Sequence, residues 1–271
     1  MITKGLGIAS KGMLALIDQM DTTANNLANV NTTGFKKSNL VFQNVYNAAL
    51  YEKNNMDSYK LEDQKYVGSV AMGPNTQKIL LDFSQGTLER TYNPLDLALE
   101  GDGMFKLQSL DGEISYTRNG SFVLNNRKQL VTKEGDLVLD IKNKPIILDV
   151  KKMNIDNIND LIIGEDGQIT TNNDIPRYYQ RIQICDFRDK GDLRSIGHSK
   201  FQPKHPEINP ELRAEKFTIQ QGALEASNSN TVNEMINIIK VSRNYETLSK
   251  FVQNDNTMLA RAINLGRINS V

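Results

Sequence analysis

The chain has 271 residues, with 32 basic and 32 acidic side chains, two His, one Cys and no Trp. That length holds one large or two modest globular units, and zero net charge gives no bulk attraction for nucleic acid or anionic lipid. One Cys excludes an intramolecular disulfide and two His almost exclude a multi-His metal centre, so the composition disfavours an enzyme.

The opening residues Met1 to Gly7 carry one Lys but no apolar core of signal-peptide length, and no stretch approaches the roughly 18 apolar residues of a membrane span. The expectation is a chain without a cleaved secretory signal and without membrane insertion. From about residue 5 to 31 the pattern is helical. Leu6, Met13, Met20 and Leu27 recur every seven residues and Leu16 fills an intermediate position, giving one apolar stripe. Gly34 reads as the stop, Asn25, Asn26 and Asn29 as local caps, and Lys36-Lys37 as charges suited to the negative helix end. Residues 44–68 have no clear period and read as an irregular linker or a two-stranded extension.

The period then becomes that of strands. Extended runs are expected at 70–83, 104–107, 114–117, 121–124, 129–131, 137–139, 146–148, 161–163, 168–170 and 180–184. They are separated by Asp-Gly, Asn-Gly and Glu-Gly turns that suit antiparallel hairpins. A Pro-rich linker at 203–210 leads to the last helix, which a capping box starts at Thr231. Ile238, Val241, Tyr245, Leu248, Val252 and Leu259 follow helical spacing to about Leu265. Such a helix is on the order of 50 Å long and its stripe needs a partner. The expected fold class is α+β, with long N- and C-terminal helices pairing as a coiled coil around a central antiparallel β domain. The expected division is residues 1–40 with 222–271 as the helical part, 41–74 as linker or β extension, and 75–221 as the β domain.

No catalytic constellation emerges. His198 and His205 flank a loop, Cys185 alternates within a strand-like run as a buried thiol, and Asp96, Glu100 and Asp102 are no more than chance neighbours for a chain this charged. No cofactor and no metal are expected.

Two terminal motifs carry a resemblance. Ala24-Asn25-Asn26-Leu27-Ala28-Asn29-Val30-Asn31-Thr32-Thr33-Gly34-Phe35-Lys36 and Gln221-Gly222-Ala223-Leu224-Glu225-Ala226-Ser227-Asn228 resemble the signatures of bacterial flagellar rod and hook proteins. Asn93-Pro94-Leu95-Asp96, Gly101-Asp102-Gly103 and Tyr116-Thr117-Arg118-Asn119-Gly120 are similar to the same family's β domain. Asn25, Asn26, Leu27, Asn29, Gly34, Phe35, Gly222, Leu224, Glu225, Ser227 and Asn228 therefore stand as motif positions. The resemblance is to the basal-body rod family of FlgF/FlgG type. The short connection between 197 and 221 tips it towards FlgF, with FlgG or another axial hook-class component as the alternative and a surface hydrolase as the remote one. It implies a non-enzymatic, torque-transmitting subunit that self-assembles helically. Its partners would be copies of itself and other axial rod or hook proteins, with the flagellar type III export apparatus in transit and no nucleic acid. It would lie in the periplasmic rod. The stripes Leu6, Met13, Leu16, Met20 and Leu27 with Ile238, Val241, Tyr245, Leu248, Val252 and Leu259 would form the assembly interface.

Overall fold

A computed structural model describes residues 2–53, 64–148, 161–171 and 180–268. Helix α1 (Ile2–Ala28) is followed by β1 (Ser38–Lys53), β2 (Gln64–Leu81), β3 (Leu88–Arg90), β4 (Leu97–Gly101), β5 (Met104–Gln108) and β6 (Ile114–Thr117). Next come β7 (Phe122–Leu124), β8 (Leu130–Thr132), β9 (Leu137–Val138), β10 (Leu161–Ile163), β11 (Ile169–Thr171) and β12 (Ile184–Asp186). The chain closes with β13 (Leu193–Gly197), β14 (Lys200–Pro203), β15 (Leu212–Arg213), β16 (Phe217–Gln221), β17 (Ala223–Glu225) and helix α2 (Thr231–Ile268). It divides into two compact units, one of Met1–Asn25, Ser38–Leu80 and Val232–Val271, the other of Asn26–Lys37 and Leu81–Thr231.

The first unit holds most of both helices and the two-stranded sheet β1-β2. The coiled-coil expectation is corrected here. In a two-helix seam the heptad Leu and Met are the residues that leave solvent. In α1 the buried positions are instead Ala9, Ala15, Thr23 and Asn26, while Leu6, Met13, Leu16, Met20 and Leu27 are only half-buried and Leu14 is 60% exposed. In α2, Val241 is buried, Ile238, Tyr245, Leu248 and Val252 are half-buried, and Met235, Ile236 and Ile239 are exposed. At Gly12 an added Cβ would stand 3.1 Å from Leu248 Cδ2, so the α2 stripe residue Leu248 packs there onto a glycine that lies outside the α1 stripe. Two terminal helices and a large antiparallel β unit keep the fold in the α+β class.

The second unit is built on an antiparallel sheet of order β13-β14-β6-β5-β9-β8-β7, with β12 pairing both β5 and β15. Alternation sets its core: Phe105 and Leu107 of β5 are fully buried with Leu97, Leu99, Leu130 and Ile146, and Phe105 meets Phe122 edge-on at 5.1 Å. Residues 146–148, expected as a strand, make only the isolated bridge Gln129↔Ile147. The turn before them is held by the buried Asp140, whose Oδ1 accepts from Lys142 N at 2.8 Å and Lys144 N at 2.9 Å. Two C-terminal strands complete N-terminal ones, β16 on β4 and β17 on β3.

Glu211 fastens the segment before β16 to this sheet. Its Oε1 accepts from Lys106 Nζ at 2.6 Å and its Oε2 from Tyr116 OH at 2.5 Å. Burial alone would push this carboxyl up, but the Lys106 and Tyr116 donors outweigh it and hold it below its ordinary 4.5. A carboxyl lowered in the folded state contributes stability that is present above its unfolded value and is lost as pH falls through the folded one. Lys106→Met removes the cation, so its acid-unfolding midpoint, followed by circular dichroism below pH 4.5, moves to higher pH. An unchanged midpoint would contradict this role for the pair.

Candidate functional site

Three motifs that lie far apart in the chain converge on one carboxylate in the second unit. Glu225, at the end of β17, has a side chain 0% exposed, and Lys36 and Arg118 beside it are 1% and 3% exposed at theirs. Lys36 Nζ lies 2.7 Å from Glu225 Oε1 and also donates to the Ser84 carbonyl at 2.7 Å. Arg118 NH1 lies 3.4 Å from Glu225 Oε2, and its NH2 donates to the Gly101 carbonyl at 2.6 Å. Gly86 N donates to Glu225 Oε1 at 2.9 Å, and the Glu225 carbonyl accepts from Gly34 N at 2.7 Å. One residue thus joins the segment after α1, the start of the β unit, the strand β6 and the approach to α2.

The electrostatics follow from burial. Desolvation lowers both Lys36 and Arg118 from their ordinary values, with Glu225 opposing in each case. One carboxylate faces two cations, and the carbonyls of Ser84, Leu99 and Gly101 accept from Lys36 Nζ, Arg118 NH1 and Arg118 NH2 in turn, while the buried Arg118 Nε has no hydrogen-bond acceptor. Such a cluster is sensitive to loss of one member, because an uncompensated buried charge remains.

Asn228 makes a second set of ties beside the first. Its Oδ1 accepts from Lys37 N at 2.8 Å, and its Nδ2 donates to the Asp82 carbonyl at 2.7 Å and to Ser84 Oγ at 3.1 Å. Thr33 Oγ1 donates to Asn119 Oδ1 at 2.9 Å. Gly34 sits at φ 66, and an added Cβ would fall 2.3 Å from Asn119 N, so the loop lies directly on the strand-end backbone. Its role differs from the helix stop read from sequence: α1 ends at Ala28, and Gly34 closes a loop onto β6. Lys36 likewise serves the buried carboxylate and not a helix end.

Of the expected motif positions, Gly34, Glu225 and Asn228 meet at this junction. Gly222 accepts from Thr91 N and Tyr92 N through its carbonyl at 2.8 and 3.1 Å. Leu224 pairs with Glu89, Ser227 Oγ accepts from Ser229 N, Asn29 Oδ1 accepts from Thr32 Oγ1, and Phe35 is half-buried. Asn26 is buried, Asn25 exposed and Leu27 half-buried at the end of α1. The stripe residues lie on α1 and α2 as described, and the side chain of Leu259 lies outside the described residues. Lys36, Arg118 and Gly86 were not among the expected positions. Lys36 and Arg118 both stand inside the motifs that carried the resemblance, which was the available signal.

The residues weighed for chemistry have other engagements. His205 Nδ1 lies 2.7 Å from Asp192 on the surface, Asp96 Oδ1 accepts from Asn93 Nδ2, and Glu100 Oε2 accepts from Gln220 Nε2. Cys185 is buried, and burial pushes its thiol up to about 12. Among the described residues no group of His, Cys, Asp and Glu is arranged to hold a metal ion. No helix among them is long and apolar enough to cross a membrane.

Comparison with known proteins matches three segments to family models. Residues 6–36 match the flagella basal body rod protein model, 98–171 the flagellar hook protein FlgE/F/G D1 domain and 220–265 the flagellar basal body rod FlgEFG protein C-terminal. The chain is 34% identical over 278 residues to the flagellar basal-body rod protein FlgG of Borreliella burgdorferi, covering 97% of this chain and 99% of that one. It is 32% identical over 267 residues to FlgG of Buchnera aphidicola subsp. Baizongia pistaciae, covering 94% and 97%. It is 29% identical over 261 residues to FlgF of Rhizobium meliloti, covering 96% of both. Relatives of both kinds match along nearly the full length, so the similarity assigns a family and leaves FlgF and FlgG undivided.

Proposed function

The chain belongs to the flagellar basal-body rod protein family, whose members are structural parts of the rod, and on that premise we propose that it is a force-bearing rod subunit. The observation that carries the reading is Glu225, which gathers the loop leading out of α1 and the strand leading towards α2 onto one buried ionic cluster. Load entering through either terminal helix passes along the chain into the same point of the β unit. The reading assigns no catalytic step, since the buried charges engage one another. Its partners are further copies of the chain and other rod or hook proteins, and the flagellar type III apparatus carries it to a periplasmic position.

The half-buried positions on α1 and α2 are the assembly contacts in this reading. A stripe left partly in solvent in one chain is completed by neighbours, and a heterologous contact that does not close gives a helical filament. Leu16→Asp or Leu248→Asp is expected to abolish incorporation into isolated basal bodies and motility. The stability of the β unit to urea should stay within about 0.5 kcal/mol, since neither position lies in it. Normal incorporation of both variants, or absence of the unmodified chain from basal bodies, would refute the reading.

A further inference from the structure

Resting on the rod-subunit reading, we propose that the groove beside β10 and β16 receives the 140–147 turn of a second copy of the chain. The groove is an open hollow of ≈ 750 Å³ lined by Tyr92, Glu100, Ile162 and Glu165 among others. Two features set it apart from an ordinary surface hollow. Tyr92 is 84% exposed and held at φ 60, a left-handed conformation that a bulky L residue rarely adopts. Its backbone and that of Thr91 both donate to the Gly222 carbonyl, which fixes the strain in place. Backbone strain gathers at sites of contact and function, and exposed aromatics are enriched among interface anchors. Beside it Ile162 is 42% exposed on the outer face of β10, although its neighbours Leu161 and Ile163 are buried.

Charge selects the occupant. Among the described residues that line the groove, Glu100 and Glu165 stand exposed on its wall against the single cation Arg90. The hairpin tip with the exposed Leu110 is flanked by Asp111 and Glu113 and would meet like charge. The 140–147 turn instead presents Ile141 at 47% and Ile147 at 48% exposure, with Lys142 and Lys144 between them also exposed. Asp140 holds that turn rigid through its bonds to Lys142 N and Lys144 N, so docking orders little that is not already ordered. Groove and turn are different surfaces of one chain, so their contact is heterologous and propagates from copy to copy.

The test uses the full chain in cells, followed by isolation of basal bodies. With Tyr92→Cys and Lys144→Cys together, mild oxidation is expected to yield a ladder of dimers, trimers and longer species, while neither single variant yields one. Glu165→Lys should lower the ladder by roughly tenfold and Lys142→Glu in the same chain should restore it. Tyr92→Asn, which tolerates the left-handed backbone, should leave the melting temperature undiminished and still weaken association. Dimers from Tyr92→Cys alone, a ladder that needs Leu110→Cys in place of Lys144→Cys, or indifference to Glu165→Lys would overturn the assignment. A doubly substituted chain that incorporates into basal bodies without any ladder overturns this contact alone. Absence of the unmodified chain from basal bodies overturns the rod reading with it.

Discussion

Replacing Glu225 with Ala is expected to destabilise the β unit by about 3–5 kcal/mol, the cost of leaving buried partners of a broken ion cluster uncompensated. The side chain is 0% exposed and accepts from Lys36 Nζ, Gly86 N and Arg118 NH1 together, so truncation takes the charge partner from two buried cations and the acceptor from Gly86 N at once. Urea denaturation read by circular dichroism measures the loss. Glu225→Gln keeps an acceptor for Gly86 N and should cost less. Arg118→Met should also cost less, because it leaves the Lys36–Glu225 pair intact and neutral. The Ala variant carries a further signature. Without Glu225, burial depresses Lys36 further below its ordinary 10.5. Between the depressed and the ordinary values the unfolded chain binds more protons than the folded one, so stability rises with pH across that window. The deficit of the variant therefore shrinks as the solution is made alkaline. Equal losses for Glu225→Ala and Arg118→Met, with no pH dependence in either, would refute the account of the cluster.

Gly34→Ala is expected to cost about 3 kcal/mol or more, for two reasons that act at one atom. The φ of 66 is strained for any residue with a Cβ, and the new Cβ would fall 2.3 Å from Asn119 N and 2.6 Å from the carbonyl carbon of Arg118. Backbone cannot yield as a side-chain tip does, so the 29–36 loop must lift. Lifting it draws Gly34 N away from the Glu225 carbonyl and Thr33 from Asn119. The expected result is faster hydrogen exchange at Gly34 and Lys37 amides together with the loss in urea stability. A variant with wild-type exchange at both amides would show that the loop is not seated by this glycine. Alanine at the far more open Gly112, where nothing lies within 4 Å, meets only the backbone strain of φ 86 and serves as the control.

What could be read from the residues alone depended on how local the determining physics was. The capping box at Thr231 and the stripe that follows it specify α2 from within a few turns, and α2 does begin at Thr231. Asp111-Gly112 and Glu134-Gly135 fixed the turns between β5 and β6 and between β8 and β9 for the same reason. The heptad spacing in α1 was equally visible, yet spacing states which residues share a face and not what covers that face. In the structure that cover falls on Ala9 and Ala15 more than on Met13 and Met20.

The junction escaped for the opposite reason. Lys36 and Glu225 are 189 positions apart and Arg118 lies 107 from Glu225, so no window of sequence contains the pair. Each charge by itself reads as a solvated side chain. Strand β17 was missed along with it, because a three-residue run ending in a buried Glu looks like a loop. The motifs that carried the family resemblance already contained all three charges, and only the fold states that they are partners.

The pairing of β16 with β4 and of β17 with β3 has a kinetic consequence. Leu97–Gly101 has its neighbour in Phe217–Gln221, and Leu88–Arg90 has its neighbour in Ala223–Glu225. Until residue 225 is free to dock, the early strands keep open edges and Lys36 and Arg118 lack their counter-charge. Contacts of such sequence separation form slowly, because loop closure must precede any gain. The unit closes only when both 34–36 and 225–228 are free to meet. Tight folding is thereby delayed until nearly the whole polypeptide is present in one place.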